Sequence, residues 1–138
     1  MRAREKTIEF LKWMVEQYSP SHHEQAFSRA LAAQLERRGW RAHTDEVGNT
    51  IASLGEGDTC IALLGHIDTV PGEVPVRIED GRLFGRGTVD AKGAIGAFIE
   101  AVELLEESER AGKKFLLLGC VEEEVAITRG AFHVRERY

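Results

Sequence analysis

The sequence predicts an α/β fold, a three-layer sandwich built around a mixed β-sheet. Helical patterns alternate along the chain with short apolar runs, which is typical of helices that cover a sheet. Two of these runs, residues 60–64 and 115–121, are bounded by turn signals and have the length of buried strands. With 138 residues, of which 43% are hydrophobic, the chain is long enough for one compact domain.

Apolar periodicity and turn residues place the individual elements. A capping box formed by Ser21 and Glu24 predicts the start of the second helix, and Gly39 is a natural C-cap for it. Gly48 and Asn49 predict a tight hairpin turn between two short strands. Helices are expected at residues 3–18, from 21 to the Gly39 cap, and at 94–110. Strands are expected at residues 40–47, 50–54, 60–64 and 115–121, with a small hairpin at 76–84 that turns at Asp80-Gly81.

Composition limits the classes of partner. The formal net charge of −5 argues against nucleic acid or an anionic membrane as the main partner. No apolar stretch approaches the roughly 18 residues of a membrane-spanning helix, so a cytoplasmic protein is expected. Cys60 and Cys120 both fall in predicted buried strands and are expected to be buried free thiols.

Three acidic or imidazole-bearing motifs lie next to these elements. His66 and Asp68 follow the run at residues 60–64, and Glu122–Glu124 follows the run at 115–121. Asp90 lies just before the third predicted helix. Because sites in open α/β sheets form at the C-terminal ends of strands, we expect these side chains to converge. One imidazole and several carboxylates can hold a divalent metal, and a spare carboxylate beside it can serve as a base.

Each motif also has a plainer interpretation. His66 and Asp68 point the same way on an extended segment, so Asp68 can orient a metal-binding imidazole, but a polar strand end has the same pattern. An isolated Asp90 is typical of a helix N-cap, and an acidic triplet is typical of a solvated loop. Three adjacent carboxylates after a buried strand nevertheless repel one another unless a cation or a raised pKa relieves them.

The glycines around Asp90 do not fit a nucleotide-binding loop. Gly85 and Gly87 lack the third glycine of a dinucleotide fingerprint, because Asp90 stands there and would repel a pyrophosphate. A phosphate-cradling loop needs a glycine directly before its lysine, whereas an alanine precedes Lys92. Glycines beside an aspartate instead suit the close backbone approach that a metal site requires.

Taken together, the motifs carry a family resemblance. The matching segments are residues 65–71, 85–93 and 122–124, with Gly130-Ala131 beyond them. In order and spacing they resemble the co-catalytic dizinc family of aminoacylases, carboxypeptidases and amino-acid deacetylases, over essentially the whole chain. They are most similar to the lysine-biosynthesis branch, of the acetylornithine and acetyl-lysine deacetylase type. Members of that branch release lysine or ornithine from an acylated or carrier-protein-bound precursor.

The resemblance implies a role for each site residue and a reaction. His66 would bind one zinc ion, Glu124 would bind a second, and Asp90 would bridge both, with cobalt as an alternative metal. Asp68 would orient His66, Glu123 would be the catalytic base, and the peptide bond after Asp90 would be cis. The implied reaction is hydrolysis of an amide bond in an N-acylated or carrier-protein-linked amino acid. Di- or tripeptidase and carboxypeptidase activities are alternatives within the family.

The resemblance also sets expectations for the whole chain. Family members are more than twice as long, with a further carboxylate ligand, a smaller inserted domain and a C-terminal histidine ligand beyond the third motif. Residues 1–138 are therefore expected to be the N-terminal portion of a zinc-aminopeptidase-like catalytic domain, truncated and without a second domain. Catalytic zinc usually has three protein ligands, so an inactive fragment that binds zinc weakly is the alternative. Uncovered strand edges predict a homo-oligomer.

One register remains open in the third motif. A shift of one residue along the acidic triplet would make Glu122 the base and Glu123 the ligand.

Overall fold

The computed structural model describes the backbone of residues 3–138, with side chains from Glu5 onward. Within this range the predicted helices and strands occur in the predicted order, with one additional helix after the last strand. The helices are α1 (Ala3–Glu16), α2 (Gln25–Arg37), α3 (Lys92–Leu104), α4 (Glu107–Arg110) and α5 (Arg129–Arg137), and the strands are β1 (Arg41–Thr44), β2 (Thr50–Leu54), β3 (Thr59–His66), β4 (Arg77–Glu79), β5 (Arg82–Phe84) and β6 (Lys113–Cys120).

A four-stranded sheet in the order β1-β2-β6-β3 forms the centre of the fold. β1 and β2 are antiparallel, as are β2 and β6, whereas β3 runs parallel to β6. The predicted mixed sheet is thus confirmed. In the parallel pair His66 lies beside Cys120, so β3 and β6 end at the same edge of the sheet. The strands β4 and β5 form a separate hairpin.

Helices α1, α2 and α3 cover one face of the sheet and enclose the main core. Truncating a fully buried Leu or Ile in such a core to Ala costs about 2–5 kcal/mol, because a cavity remains. The core on this face consists of Phe10, Met14, Phe27, Leu31, Leu35, Trp40, Ala52, Ile67, Ile95, Ile99, Val102, Phe115, Leu117 and Val121.

Helix α5 covers part of the opposite face and completes the three layers. Its Val134 packs with Ile51, Leu118 and Cys120 in a second apolar cluster. The sequence analysis did not predict this helix, because few of its residues are apolar. The outer part of this face, on β3, remains open, and Leu64 is 53% exposed.

Strand β3 differs from the prediction of a fully buried strand. It lies at the edge of the sheet, and half-buried and exposed residues alternate along it because helices cover only one of its faces. Cys60 is consequently exposed, so the prediction of a buried thiol there was wrong. Cys120 on the central strand β6 is buried as predicted, and burial, with the nearby Asp45 and Asp68 charges, raises its pKa to about 12.

The first helix buries only part of the predicted face, because Val15 is buried as expected and Leu11 is half-buried. It ends at Glu16, and Ile8 and Tyr18, which were expected to face inward, are 40% and 43% exposed. Phe10 and Met14 enter the core instead. The Phe10 ring stacks on the Trp13 ring, and the large aromatic surface of this pair packs against the core.

The second helix begins later than predicted, at Gln25, and the Ser21–Glu24 capping box does not form. The Ser21 hydroxyl donates instead to Asp68 Oδ2 at 2.7 Å, and the Glu24 carboxylate accepts from the backbone N–H of Glu122. Long-range partners therefore replace the local cap. The predicted apolar stripe of α2 is confirmed, and it consists of Phe27, Leu31 and Leu35.

The connection between β1 and β2 is a five-residue loop rather than a two-residue turn. Asp45 organises it, because Oδ1 of this residue accepts from the backbone N–H groups of Val47, Gly48 and Asn49. The hairpin of β4 and β5 does turn at Asp80-Gly81 as predicted, with both residues at positive φ.

The third predicted helix is divided in two. α3 ends at Leu104, and α4 begins after a capping box in which Glu106 and Glu109 satisfy each other's backbone N–H groups. Among the helices of residues 3–138, none combines the length and the apolar character needed to cross a bilayer.

Candidate metal centre

The five predicted site residues meet at one edge of the sheet. His66 is the last residue of β3 and Asp68 lies two residues beyond it, whereas Glu123 and Glu124 follow β6. Parallel pairing of β3 and β6 brings these two motifs together. Asp90 reaches the same edge from the turn that precedes α3.

Three of these residues form a cluster that could hold a metal ion. The ligand atoms of His66, Asp90 and Glu124 all lie within 4.8 Å of one another. Nε2 of His66 is 2.9 Å from Asp90 Oδ1 and 3.6 Å from Glu123 Oε2. Nε2 is therefore the nitrogen that faces the metal position, and Glu123 lies beside the cluster.

The other ring nitrogen of His66 is held by the polypeptide itself. Nδ1 lies 3.0 Å from the backbone carbonyl oxygen of Asp68 and 3.3 Å from its carboxylate. Burial alone would lower the pKa of the imidazole, but Asp68, Asp90 and the Glu123 charge together raise it to about 9. A divalent cation at Nε2 would take the place of the proton that these carboxylates attract.

Asp68 is fully buried and links two of the motifs. Its carboxylate accepts from the Ser21 hydroxyl and from the backbone N–H groups of Glu123 and Glu124. Burial would raise the pKa of Asp68, but these bonds and the contact with His66 lower it to about 2. Besides lying against His66, Asp68 therefore fixes the backbone of the third motif.

The carboxylates of the cluster fit a cation. The pKa of Glu124 is raised, first by partial burial and next by the negative charge of Asp90. Glu123 and Asp68 add smaller contributions, and His66 opposes the shift. Such crowding favours a bound cation, which removes the repulsion. One imidazole nitrogen with several carboxylate oxygens is a donor set that suits zinc.

The Asp90 turn does not serve as a helix cap. The N-cap residue of α3 is Ala91, which makes no side-chain cap, and the Asp90 carboxylate faces His66 instead. The Asp90–Ala91 peptide bond is cis, as the family resemblance implied. Gly87 is required nearby, because its φ is 87° and a Cβ atom there would lie 2.9 Å from Thr69 Cγ2.

Glu122 turns away from the cluster. Its φ of 58° is left-handed, and its carboxylate lies 3.0 Å from Arg129 Nη2 and 3.5 Å from His22 Nδ1. Only Glu123 and Glu124 of the acidic triplet therefore face His66.

Three residues that support the site were not predicted from the sequence. The Ser21 hydroxyl and the Glu24 carboxylate bond to Asp68 and to the Glu122 N–H, respectively, and Asn49 Oδ1 accepts from the N–H of Val121. Asn49 is fully buried, although the sequence analysis assigned it only to a tight hairpin turn with Gly48. Local patterns cannot reveal these contacts, because their partners lie tens of residues away in the sequence.

The fold and the site together define a class: an α/β domain organised like the catalytic domains of metallopeptidases. Residues 62–138 match the sequence profile of peptidase family M20/M25/M40. Because this match spans more than half of the chain, the chain belongs to that family.

Curated relatives agree with this assignment. A LysW-lysine hydrolase of Deinococcus radiodurans is 40% identical over 131 residues, which cover 94% of this chain and 36% of the relative. A provisionally named LysW-lysine/LysW-ornithine hydrolase of Pyrococcus furiosus is 44% identical over 131 residues, which cover 95% of this chain and 38% of the relative. The chain thus spans little more than a third of the length of these relatives.

Solved structures share the fold. The aminopeptidase PepT of Bacillus cereus superposes with a TM-score of 0.79 at 24% identity, covering 97% of this chain and 40% of its own. The M20 family metallo-carboxypeptidase Sso-CP2 of Sulfolobus solfataricus superposes with a TM-score of 0.75 at 21% identity, and the match covers 90% of this chain and 32% of that protein.

Proposed function

We propose that this chain is the metal-binding part of an amide hydrolase that releases an amino acid from an acyl group or from a carrier protein. The observation that carries the proposal is the convergence of His66, Asp90 and Glu124, with Glu123 beside His66 Nε2. The names of the relatives favour lysine or ornithine linked to the carrier LysW as the substrate. Small N-acyl amino acids are the simpler form of the same substrate class.

The proposed cofactor is a pair of zinc or cobalt ions. His66 would hold one ion through Nε2, Glu124 would hold the other, and Asp90 would bridge them. The chemistry supplied by the bound ions is polarisation of the scissile carbonyl and a lowered pKa of the attacking water. Catalytic zinc usually has three protein ligands, so we propose that further ligands come from sequence present in the longer relatives.

The residues of this chain then perform the proton transfers. Glu123 accepts the proton of the attacking water and returns it to the leaving amine as general acid. Its side chain is 48% exposed, so water and substrate can reach it, and it lies 3.6 Å from His66 Nε2. Asp68 keeps Glu123 and Glu124 aimed at the cluster through their backbone N–H groups.

The test uses a longer protein in which residues 1–138 are followed by the sequence that the longer relatives carry beyond the matched part. We expect it to release lysine or ornithine from the carrier-linked amino acid or from the N-acetyl form, to lose activity with a chelator, and to regain it with zinc or cobalt. Glu123→Gln should abolish turnover, whereas Glu56→Gln, at an exposed loop, serves as the matched control. Turnover that survives both chelation and Glu123→Gln would overturn the proposal.

The same assay separates the alternatives. Cleavage of dipeptides or of C-terminal residues, with no release from acylated or carrier-linked lysine, would assign a peptidase activity instead. Turnover by the longer protein but not by the 138-residue chain would identify the chain as an inactive portion. The cytoplasmic location expected from the sequence belongs to the same proposal, and cell fractionation tests it.

A further inference from the structure

The backbone of the third motif is held by side chains from three separate parts of the chain. Four successive N–H groups, those of residues 121–124, each donate to a side-chain oxygen at 3.0 Å. Val121 donates to Asn49 Oδ1, Glu122 to Glu24 Oε1, Glu123 to Asp68 Oδ1, and Glu124 to Asp68 Oδ2.

Glu24 is the least expected of these acceptors. It precedes α2, where the sequence suggested a local helix cap, yet it is only 4% exposed and its side chain makes no cap bond. Burying a carboxylate is costly unless it is hydrogen-bonded. The bond to the Glu122 N–H links it to a residue 98 positions away, on the loop that carries the base and one ligand.

The bond falls at the point where the loop changes direction. Glu122 has a left-handed φ of 58°, a conformation that a residue with a side chain seldom adopts without support. Its carboxylate points to Arg129 and His22, whereas the next two residues face His66. The bond to Glu24 therefore acts where this turn separates Glu122 from Glu123 and Glu124.

We propose that Glu24 is a positioning residue for the hydrolytic site. By accepting from the Glu122 N–H it fixes the left-handed turn, and that turn aims Glu123 and Glu124 at the metal position. The inference rests on the proposed function, in which Glu123 is the base and Glu124 a ligand. Glu24 itself touches neither substrate nor metal.

The experiment compares Glu24→Ala with Ser28→Ala in the longer protein. Ser28 is a matched control, because it lies one turn further along, is fully buried, and bonds to Thr50 Oγ1 on β2 at 2.9 Å and not to the backbone N–H groups of residues 121–124. For Glu24→Ala we expect kcat to fall by about 10²-fold with KM little changed, because misplacing a catalytic group by about 1 Å has this effect. Its affinity for zinc alone should fall by about 10-fold.

The control separates positioning from plain stabilisation. Ser28→Ala should lower the melting temperature while kcat and zinc affinity stay near wild type. If Glu24→Ala only lowered the melting temperature, and matched Ser28→Ala in kcat and zinc affinity, Glu24 would be merely structural.

Two conservative variants cover the case in which Glu24→Ala does not fold. Glu24→Gln keeps an acceptor oxygen at the same reach, whereas Glu24→Asp keeps the charge but withdraws the oxygen by one methylene. Positioning through the Glu122 N–H predicts that the Gln variant retains more kcat than the Asp variant. The reverse order would show that the buried charge matters, and not the bond.

Failure of this inference differs from failure of the proposed function. A wild-type protein that hydrolysed no amide substrate would refute the function. The zinc affinities of Glu24→Ala and Ser28→Ala would still decide whether Glu24 positions Glu124.

Discussion

The backbone N–H of Glu124 donates a 3.0 Å hydrogen bond to Oδ2 of Asp68, which joins the β3 motif to the β6 motif. One buried carboxylate thereby contacts the imidazole of His66 and holds the backbone of a second candidate ligand. Loss of its charge should affect both stability and the site.

We expect Asp68→Asn to destabilise the protein, because an amide NH₂ would then face N–H donors. The pKa of Asp68 is lowered from 3.8 to about 2 in the folded protein. The ionised Asp68 carboxylate therefore contributes about 2 kcal/mol to the free energy of unfolding above pH 4. This contribution is lost as the pH falls through the pKa of the folded state. Urea unfolding from pH 5 to 2 should show a smaller acid-induced loss for Asp68→Asn than for wild type. The exposed control Asp58→Asn should follow wild type, and equal pH slopes for all three proteins would contradict the assignment.

Zinc binding should become tighter as the pH rises toward 9. The pKa of metal-free His66 is raised to about 9, so zinc must displace a proton from Nε2 at neutral pH. Apparent affinity should rise about tenfold per pH unit between about pH 6.5 and 8.5, with release of one proton. Competition titration against a chromophoric chelator measures this slope. His43→Gln, at an exposed position of β1, should leave the pH dependence of zinc affinity unchanged. A zinc affinity in wild type that did not change with pH would refute the raised pKa of His66.

Removing the proposed base, Glu123, and removing the proposed bridging ligand, Asp90, should have different consequences. Glu123→Ala in the longer protein should abolish turnover yet keep the metal content nearly intact, because a base acts in the transition state and not in coordination. Asp90→Ala should strip both metals. Elemental analysis and steady-state kinetics distinguish the two. If Glu123→Ala lost metal and Glu124→Ala kept it, the register of the acidic triplet would be shifted by one residue.

Stability should depend on the buried amine of Lys92. This residue is 1% exposed, donates to the Gln17 carbonyl and lies 4.4 Å from the Phe27 ring centroid. Burial lowers its pKa from 10.5 to about 8, so between these values the unfolded chain binds more protons than the folded one. The free energy of unfolding should therefore rise as the pH increases from about 8 to 10.5, by up to about 3 kcal/mol, because the buried amine loses its charge.

Lys92→Met should lack this rise when thermal unfolding is followed across the same pH range. Lys114→Met, at an exposed position of β6, should keep it. An identical pH dependence in wild type and Lys92→Met would show that the buried amine does not titrate in this window.

The 138-residue chain should self-associate through the open side of β3. Within the described part of the chain, β3 has a strand partner only in β6, and Leu64 on its open face is 53% exposed. Exposed edges and apolar side chains tend to recruit another chain. Light scattering over a range of concentrations should show association in wild type and less in Leu64→Lys. Leu104→Lys, exposed on α3, is the control, and a wild-type monomer at high concentration would refute the prediction.

The local sequence alone determined the central strand and the position of the candidate metal-binding motifs. β6 could be predicted because a continuous apolar run between turn signals needs burial on both faces, and the central place of this strand provides it. His66 and Glu124 could be placed at one edge because both follow such runs, and parallel strand ends meet. Asp90 was placed by the glycines around it.

Only the tertiary structure decided which faces are buried and where the acidic side chains point. The runs of β3 and β6 look alike in sequence, but β3 lies at the edge of the sheet and alternates in exposure. Glu122 and Glu123 are chemically identical neighbours, and the left-handed turn held by Glu24 separates their directions. Such choices depend on contacts between residues far apart in the chain, whose energies exceed the local preferences that a sequence pattern records.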